Sequence, residues 1–145
     1  MPLTLIAESV LARCISAQKD ERVAASKVLK GPTPSITGDQ KAFLADLERA
    51  VYAAKIVSYA QGYSLLREAG KEHGWNLNFG GIALMWRGGC IIRSAFLGKI
   101  KEAFDKDPKL TNLMLTPFFR ERLEQAQAGW RRVASAAVLN GLPIP

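Results

Sequence analysis

The chain has 145 residues, 48% of them hydrophobic and 23% charged, and carries a formal charge of +7. That length supports one domain with a core of its own, and the apolar content argues against a disordered tail. No apolar run approaches the ~20 residues of a membrane-crossing helix, and Met1-Pro2-Leu3-Thr4-Leu5-Ile6 lacks the basic start and small-residue cleavage site of a signal peptide.

Residues 4 to about 18 read as a first helix, with Thr4 as cap and Glu8 in the early turns. Leu5, Ile6, Val10, Leu11 and Cys14 follow helical spacing, and Arg13 lies among them. Gln18-Lys19-Asp20-Glu21-Arg22 reads as a polar break, followed by a short helix over 23–29. Gly31 to Gly38 holds two prolines and two glycines and can only be a connector. Asp39 then caps the longest helix, which runs without proline to His73 and is closed by Gly74. Its apolar positions include Phe43, Leu47, Ala50, Val51, Ala54, Val57, Leu65, Leu66 and Ala69, with Tyr52, Tyr59 and Tyr63 widening the buried face. The interior Gly62 costs about 1 kcal/mol against alanine, so a close helix crossing is expected there. Asn78 caps a short helix through Trp86. A further helix is expected from about Gly89 to Phe104, with Ile92, Phe96 and Ile100 on one side, and Asp105-Lys106-Asp107-Pro108 ends it. Lys109 to Leu115 reads as one helical turn plus loop. Thr116-Pro117 opens a last helix carrying Phe119, Leu123, Ala126, Trp130, Val133 and Ala137, which stops at Asn140-Gly141 before an extended tail. No strand pattern appears. The fold class is all-α: one helical domain over 1–145, arranged as a bundle around the long central helix.

Little in this pattern offers catalytic chemistry. Cys14 and Cys90 form no CxxC pair and are expected as two buried thiols in a reducing, cytoplasmic setting. His73, the sole histidine, reads as a partner for the carbonyl end of the long helix rather than as a ligand or base. Paired carboxylates such as Asp20/Glu21 and Glu121/Glu124 lie on polar faces. The glycines at 80, 81, 88 and 89 follow no strand, so no dinucleotide fingerprint is present, and no metal-ligand spacing occurs. The positive charge is dispersed, with only Arg131-Arg132 and Arg120/Arg122 close together, so a basic helical nucleic-acid binder stands as the weakest of the open readings. The stretch Gly74 to Ser94, with two tryptophans and two Gly-Gly pairs, reads as a buried junction between helices.

That stretch also carries a resemblance. Gly81-Ile82-Ala83-Leu84-Met85-Trp86-Arg87-Gly88-Gly89-Cys90-Ile91-Ile92-Arg93-Ser94 is similar to the C-terminal all-helical domain of the decarboxylating 6-phosphogluconate dehydrogenases. The likeness continues through Thr4-Leu5-Ile6, Ala12-Arg13-Cys14, Lys19 to Lys27, Ala54 to Gly62, Phe96 to Ile100 and Asn140 to Pro145. Members of that family oxidise and decarboxylate 6-phosphogluconate to ribulose 5-phosphate, usually with NADP, as cytoplasmic homodimers of the pentose phosphate pathway.

The resemblance implies a domain truncated at both ends, with residues 39–104 matching the second copy of an internal duplication. The family's nucleotide-binding domain and its catalytic lysine and glutamate precede anything in this sequence. The fragment is therefore expected to be inactive and to bind no cofactor by itself. One role carries over: Arg13 matches a family arginine that binds the substrate phosphate, as a guanidinium fork suits phosphate oxygens. Read from the residues alone, Arg13 is a snorkelling side chain at the core edge. Lys55 receives no role. The expected partners are 6-phosphogluconate in the full-length enzyme and a second copy of the chain, with no nucleic acid and no membrane. The competing reading is a free-standing helical interaction module, its apolar face left open by missing helices.

Overall fold

The computed structural model describes residues 3–144. Among these the elements are α1 (Thr4–Ala17), α2 (Lys19–Val28), α3 (Gln40–His73), α4 (Phe79–Met85), α5 (Leu97–Lys106), a 3-10 turn over Leu113–Leu115, and α6 (Pro117–Leu139). No described residue lies in a strand. The all-α expectation holds, and α3, at 34 residues, is the longest element.

Local chemistry sets most of the boundaries. The Asp39 carboxylate accepts from the backbone N–H of Lys41 at 2.9 Å and Ala42 at 3.2 Å, occupying two donors that the first turn of α3 leaves open. Gly74 turns left-handed at φ +66° and lets Trp75 N donate to Gly70 O at 2.8 Å. Asn78 caps α4 by accepting from Gly81 N at 2.8 Å. Gly141 repeats the left-handed stop after α6, with Leu142 N on Ala137 O at 2.9 Å.

Three boundaries differ from the sequence reading. Thr4 is the first helical residue of α1, and Leu3 occupies the cap position. The polar break shrinks to Gln18; Lys19 to Arg22 are helical, with Asp20 and Glu21 in the first turn of α2, where carboxylates suit the positive helix end. The helix expected from Gly89 begins only at Leu97, because Gly89 is left-handed at φ +66° and residues 87–96 form turns. Thr116 precedes α6 as expected, but its hydroxyl donates backwards to Leu113 O at 2.9 Å.

The chain divides into two compact units. The first takes the chain up to Ala53 together with residues from Gln125 onward. Its buried residues are small: Ala50 and Ala53 from α3, Ala126 and Ala137 from α6. Asp46, 6% exposed, is buried among them and accepts two hydrogen bonds from Arg132, Nε to Oδ2 at 2.7 Å and Nη2 to Oδ1 at 2.8 Å. The Arg132 hydrogen bonds hold the Asp46 carboxyl below its ordinary value, against the opposing effect of burial. Gly129 makes this possible, since a Cβ there would sit 2.5 Å from Asp46 Oδ1. The Asn140 side chain ties the 31–38 connector to the end of α6 by accepting from Ser35 N.

The second unit, residues 54–124, is built on aromatic rings. Tyr59 meets Phe96 edge-on at 5.2 Å, Phe96 meets Phe119 at 5.6 Å, and Phe104 lies 5.1 Å from Tyr63 and 5.0 Å from Phe79. Ile56, Leu97, Ile100 and Leu113 complete this core. The Tyr63 hydroxyl donates to Phe79 O at 3.3 Å, whereas the buried Tyr59 hydroxyl has no hydrogen-bond partner. Burial disfavours ionisation of both phenols and pushes their pKa up, most strongly that of Tyr63.

Several burial expectations are corrected. Gly62 meets nothing within 4 Å of its would-be Cβ, so no close crossing explains it. Val51 and Leu65, read as core, are 60% and 38% exposed. The 74–94 stretch is buried only at Gly80 and Ala83, while Trp75, Met85 and Ile91 are exposed. Gly80 does serve close approach, to Lys101 and Asp105, but Gly88 faces open space. Cys14 is exposed and Cys90 half-buried, both as free thiols.

Candidate functional site

Arg13 is the one residue that the sequence singles out for ligand binding. It lies on α1, one turn before the helix ends at Ala17. No residue of α1 is buried, so Arg13 is exposed rather than at the edge of a core. The snorkelling reading therefore fails among the described residues.

Its surroundings are built by the α1–α2 joint. The backbone breaks for one residue at Gln18, whose N–H donates to Ile15 O at 3.1 Å, and Arg22 N resumes the ladder on Gln18 O at 3.1 Å. This turn brings Arg22 back onto the carbonyl end of α1, where its Nη2 donates to Ser16 O at 2.9 Å. The Ser16 hydroxyl donates to Arg13 O at 3.0 Å and accepts from Arg13 Nη1 at 3.4 Å. Two guanidinium groups thus converge on one serine on an open surface. Both are permanently charged, so the arrangement can hold an anion but cannot move a proton. Ser16 and Arg22 were not singled out in the sequence, because their link crosses a helix break and follows no helical period.

The other residues weighed in the sequence fall elsewhere. His73 stacks on Trp75 with ring centroids 4.7 Å apart and is exposed. Lys55 donates to Arg93 O at 3.1 Å, a structural tie to the turn before α5. No group of three metal-ligating side chains occurs among the described residues. Grooves among the described residues include one of about 440 Å³ beside Lys99, Lys106, Thr116 and Phe118, and one of about 620 Å³ beside Ile36, Phe43, Val133 and Leu142. Arg13 lines neither of them. Among the described residues, no helix is long and apolar enough to cross a membrane.

Comparison with known proteins covers the full length of the chain. Residues 1–145 match the family described as 6-phosphogluconate dehydrogenase, C-terminal domain. Human decarboxylating 6-phosphogluconate dehydrogenase is 60% identical over 146 aligned residues, covering 100% of this chain and 30% of the human one. The Schizosaccharomyces pombe relative is 59% identical, over 99% of this chain and 29% of its own. Among solved structures, Plasmodium falciparum 6-phosphogluconate dehydrogenase superposes with a TM-score of 0.92 at 36% identity. It covers 99% of this chain and 31% of its own, and was determined in its apo form, with its cofactor NADP+ and with its substrate 6-phosphogluconate. The chain therefore spans about 30% of the length of the curated relatives it matches.

Proposed function

We propose, from the premise that this chain belongs to the 6-phosphogluconate dehydrogenase C-terminal-domain family, that residues 1–145 form a substrate-binding and self-associating helical domain of a decarboxylating 6-phosphogluconate dehydrogenase. The observation that carries this is the match along the whole chain at 60% identity to a decarboxylating enzyme. The activity is oxidation and decarboxylation of 6-phosphogluconate with NADP as hydride acceptor. Both ligands accompany the Plasmodium falciparum relative. Two free thiols suit a reducing, cytoplasmic setting.

Within this reading Arg13 binds the phosphate of 6-phosphogluconate. A guanidinium offers a rigid, always-charged donor fork to phosphate oxygens. It contributes binding and orientation only. Removing the proton of the substrate hydroxyl needs a group that titrates, and so does protonating the enediol left by loss of carbon dioxide. Hydride transfer also needs nucleotide phosphates held at a glycine-rich turn, a pattern absent from this sequence. The 145-residue chain alone is accordingly expected to produce no NADPH.

A chimera tests the reading: residues 1–145 replace the aligned stretch of the human enzyme, and NADPH is followed at 340 nm. The expected result is turnover of 6-phosphogluconate, with Arg13→Ala weakening substrate binding by roughly 1.5–3 kcal/mol, the range for a hydrogen bond to a charged group. A folded chimera without turnover, or an unchanged KM in the Arg13→Ala form, overturns the corresponding part of the proposal.

A further inference from the structure

We propose that Arg22 is a positioning residue for Arg13, acting through Ser16 across the α1–α2 joint; this rests on the reading of Arg13 as a phosphate ligand. Arg13 is a long, flexible, exposed side chain on a helix none of whose residues is buried. An arginine in that situation samples many rotamers, and a phosphate must stop that motion on binding. The structure shows two contacts that limit it beforehand. The Ser16 hydroxyl gives its one proton to Arg13 O at 3.0 Å, which leaves its lone pairs facing the guanidinium, and Arg13 Nη1 donates to it at 3.4 Å. Ser16 therefore grips Arg13 at the backbone and at the head group.

Ser16 itself lies in the last turn of α1, where carbonyls have no intrahelical donor. A helix end of this kind frays. Arg22 Nη2 occupies the Ser16 carbonyl at 2.9 Å, and Arg22 is fixed in turn by its place in the first turn of α2. The order of support is Arg22 to Ser16 to Arg13. Each guanidinium has five N–H donors, and these contacts engage one nitrogen of each.

The test is binding of 6-phosphogluconate to the 145-residue chain, followed by the Arg13 side-chain Nε–Hε signal in nitrogen-edited NMR, with gluconate as the phosphate-free control. Helical circular dichroism establishes that each variant is folded. Arg22→Ala and Ser16→Ala are each expected to weaken binding by about fivefold or more and to raise the mobility of the Arg13 Nε–Hε group. Ser16→Ala leaves the carbonyl for Arg22, so it isolates the hydroxyl link. Arg22→Lys, which keeps a cationic donor, is expected to recover part of the loss. If Arg13→Ala abolishes binding while Arg22→Ala and Ser16→Ala bind and tumble as the wild type does, the positioning role is wrong and the phosphate assignment stands. If Arg13→Ala changes nothing, or the wild-type signal does not respond to 6-phosphogluconate, the phosphate assignment fails and this inference with it.

Discussion

Replacing a helical glycine by alanine ordinarily stabilises a helix by about 0.5–1 kcal/mol, through reduced freedom of the unfolded chain and better propensity. Two glycines of this chain should respond with opposite signs. At Gly62 an added Cβ meets nothing within 4 Å, so Gly62→Ala is expected to stabilise by the full ~0.5–1 kcal/mol. At Gly129 the added Cβ would stand 2.5 Å from Asp46 Oδ1, 2.9 Å from Cγ and 3.2 Å from Cβ. The last distance matters most, because turning the Asp46 side chain cannot move its Cβ away. Normal carbon contacts lie near 3.5–4.0 Å, so the backbones of α3 and α6 must separate locally or the Asp46–Arg132 bonds must break. Overpacking of this kind costs about 1–3 kcal/mol, and the propensity gain offsets only about 1 of it. A net loss of up to about 2 kcal/mol is expected, or up to about 8 °C in Tm for a chain of this size. Urea titration followed by circular dichroism would measure both variants. In an Asp46→Ala background, which removes Cγ and both oxygens, the penalty for Gly129→Ala should shrink, a coupling that the double-mutant cycle reads directly. Equal or greater stability of Gly129→Ala relative to Gly62→Ala would refute the reasoning.

Three further outcomes are expected. Tyr59→Phe removes a buried hydroxyl without a partner and should leave stability unchanged or raise it, whereas Tyr63→Phe removes the donor to Phe79 O and should cost about 1 kcal/mol in the same titration; a reversed order would contradict the assignment. Asp46 has a folded-state pKa lowered by the Arg132 hydrogen bonds from its usual 3.8. Its stabilisation is therefore fully present above about pH 3.8 and is lost as pH falls through the lowered value. Asp46→Asn should flatten the acid limb of the stability profile, and an unchanged limb would count against the pair. Finally, Val10, Leu11 and Ile15 of α1 and Val28 with Leu29 at the end of α2 are exposed by 56–75%. Sedimentation at tens of micromolar (roughly) should show self-association that persists in high salt, as apolar contacts do; a monomer at every concentration would argue against it.

Features that depend on near neighbours were legible in the sequence. Asp39, Asn78, Gly74 and Gly141 bond within a few residues of themselves, so their side chains announce the helix ends they make. Core membership around α5 was legible for Ile100 and for Phe96, which caps the helix, but not for Ile92, which lies in the turns five residues before it and is 44% exposed. Helical spacing identifies a buried face only where the backbone is helical, and Gly89 interrupts it. Arg13 became a candidate through family resemblance, not through its chemistry, because a single arginine in an apolar pattern has no distinguishing period. Its contacts with Ser16 and Arg22 depend on how the chain turns at Gln18, which a polar run does not specify. Gly129 looked like an ordinary helical glycine. Only the fold reveals that it faces Asp46, 83 positions earlier, because steric room belongs to pairs of segments and cannot be read from either one.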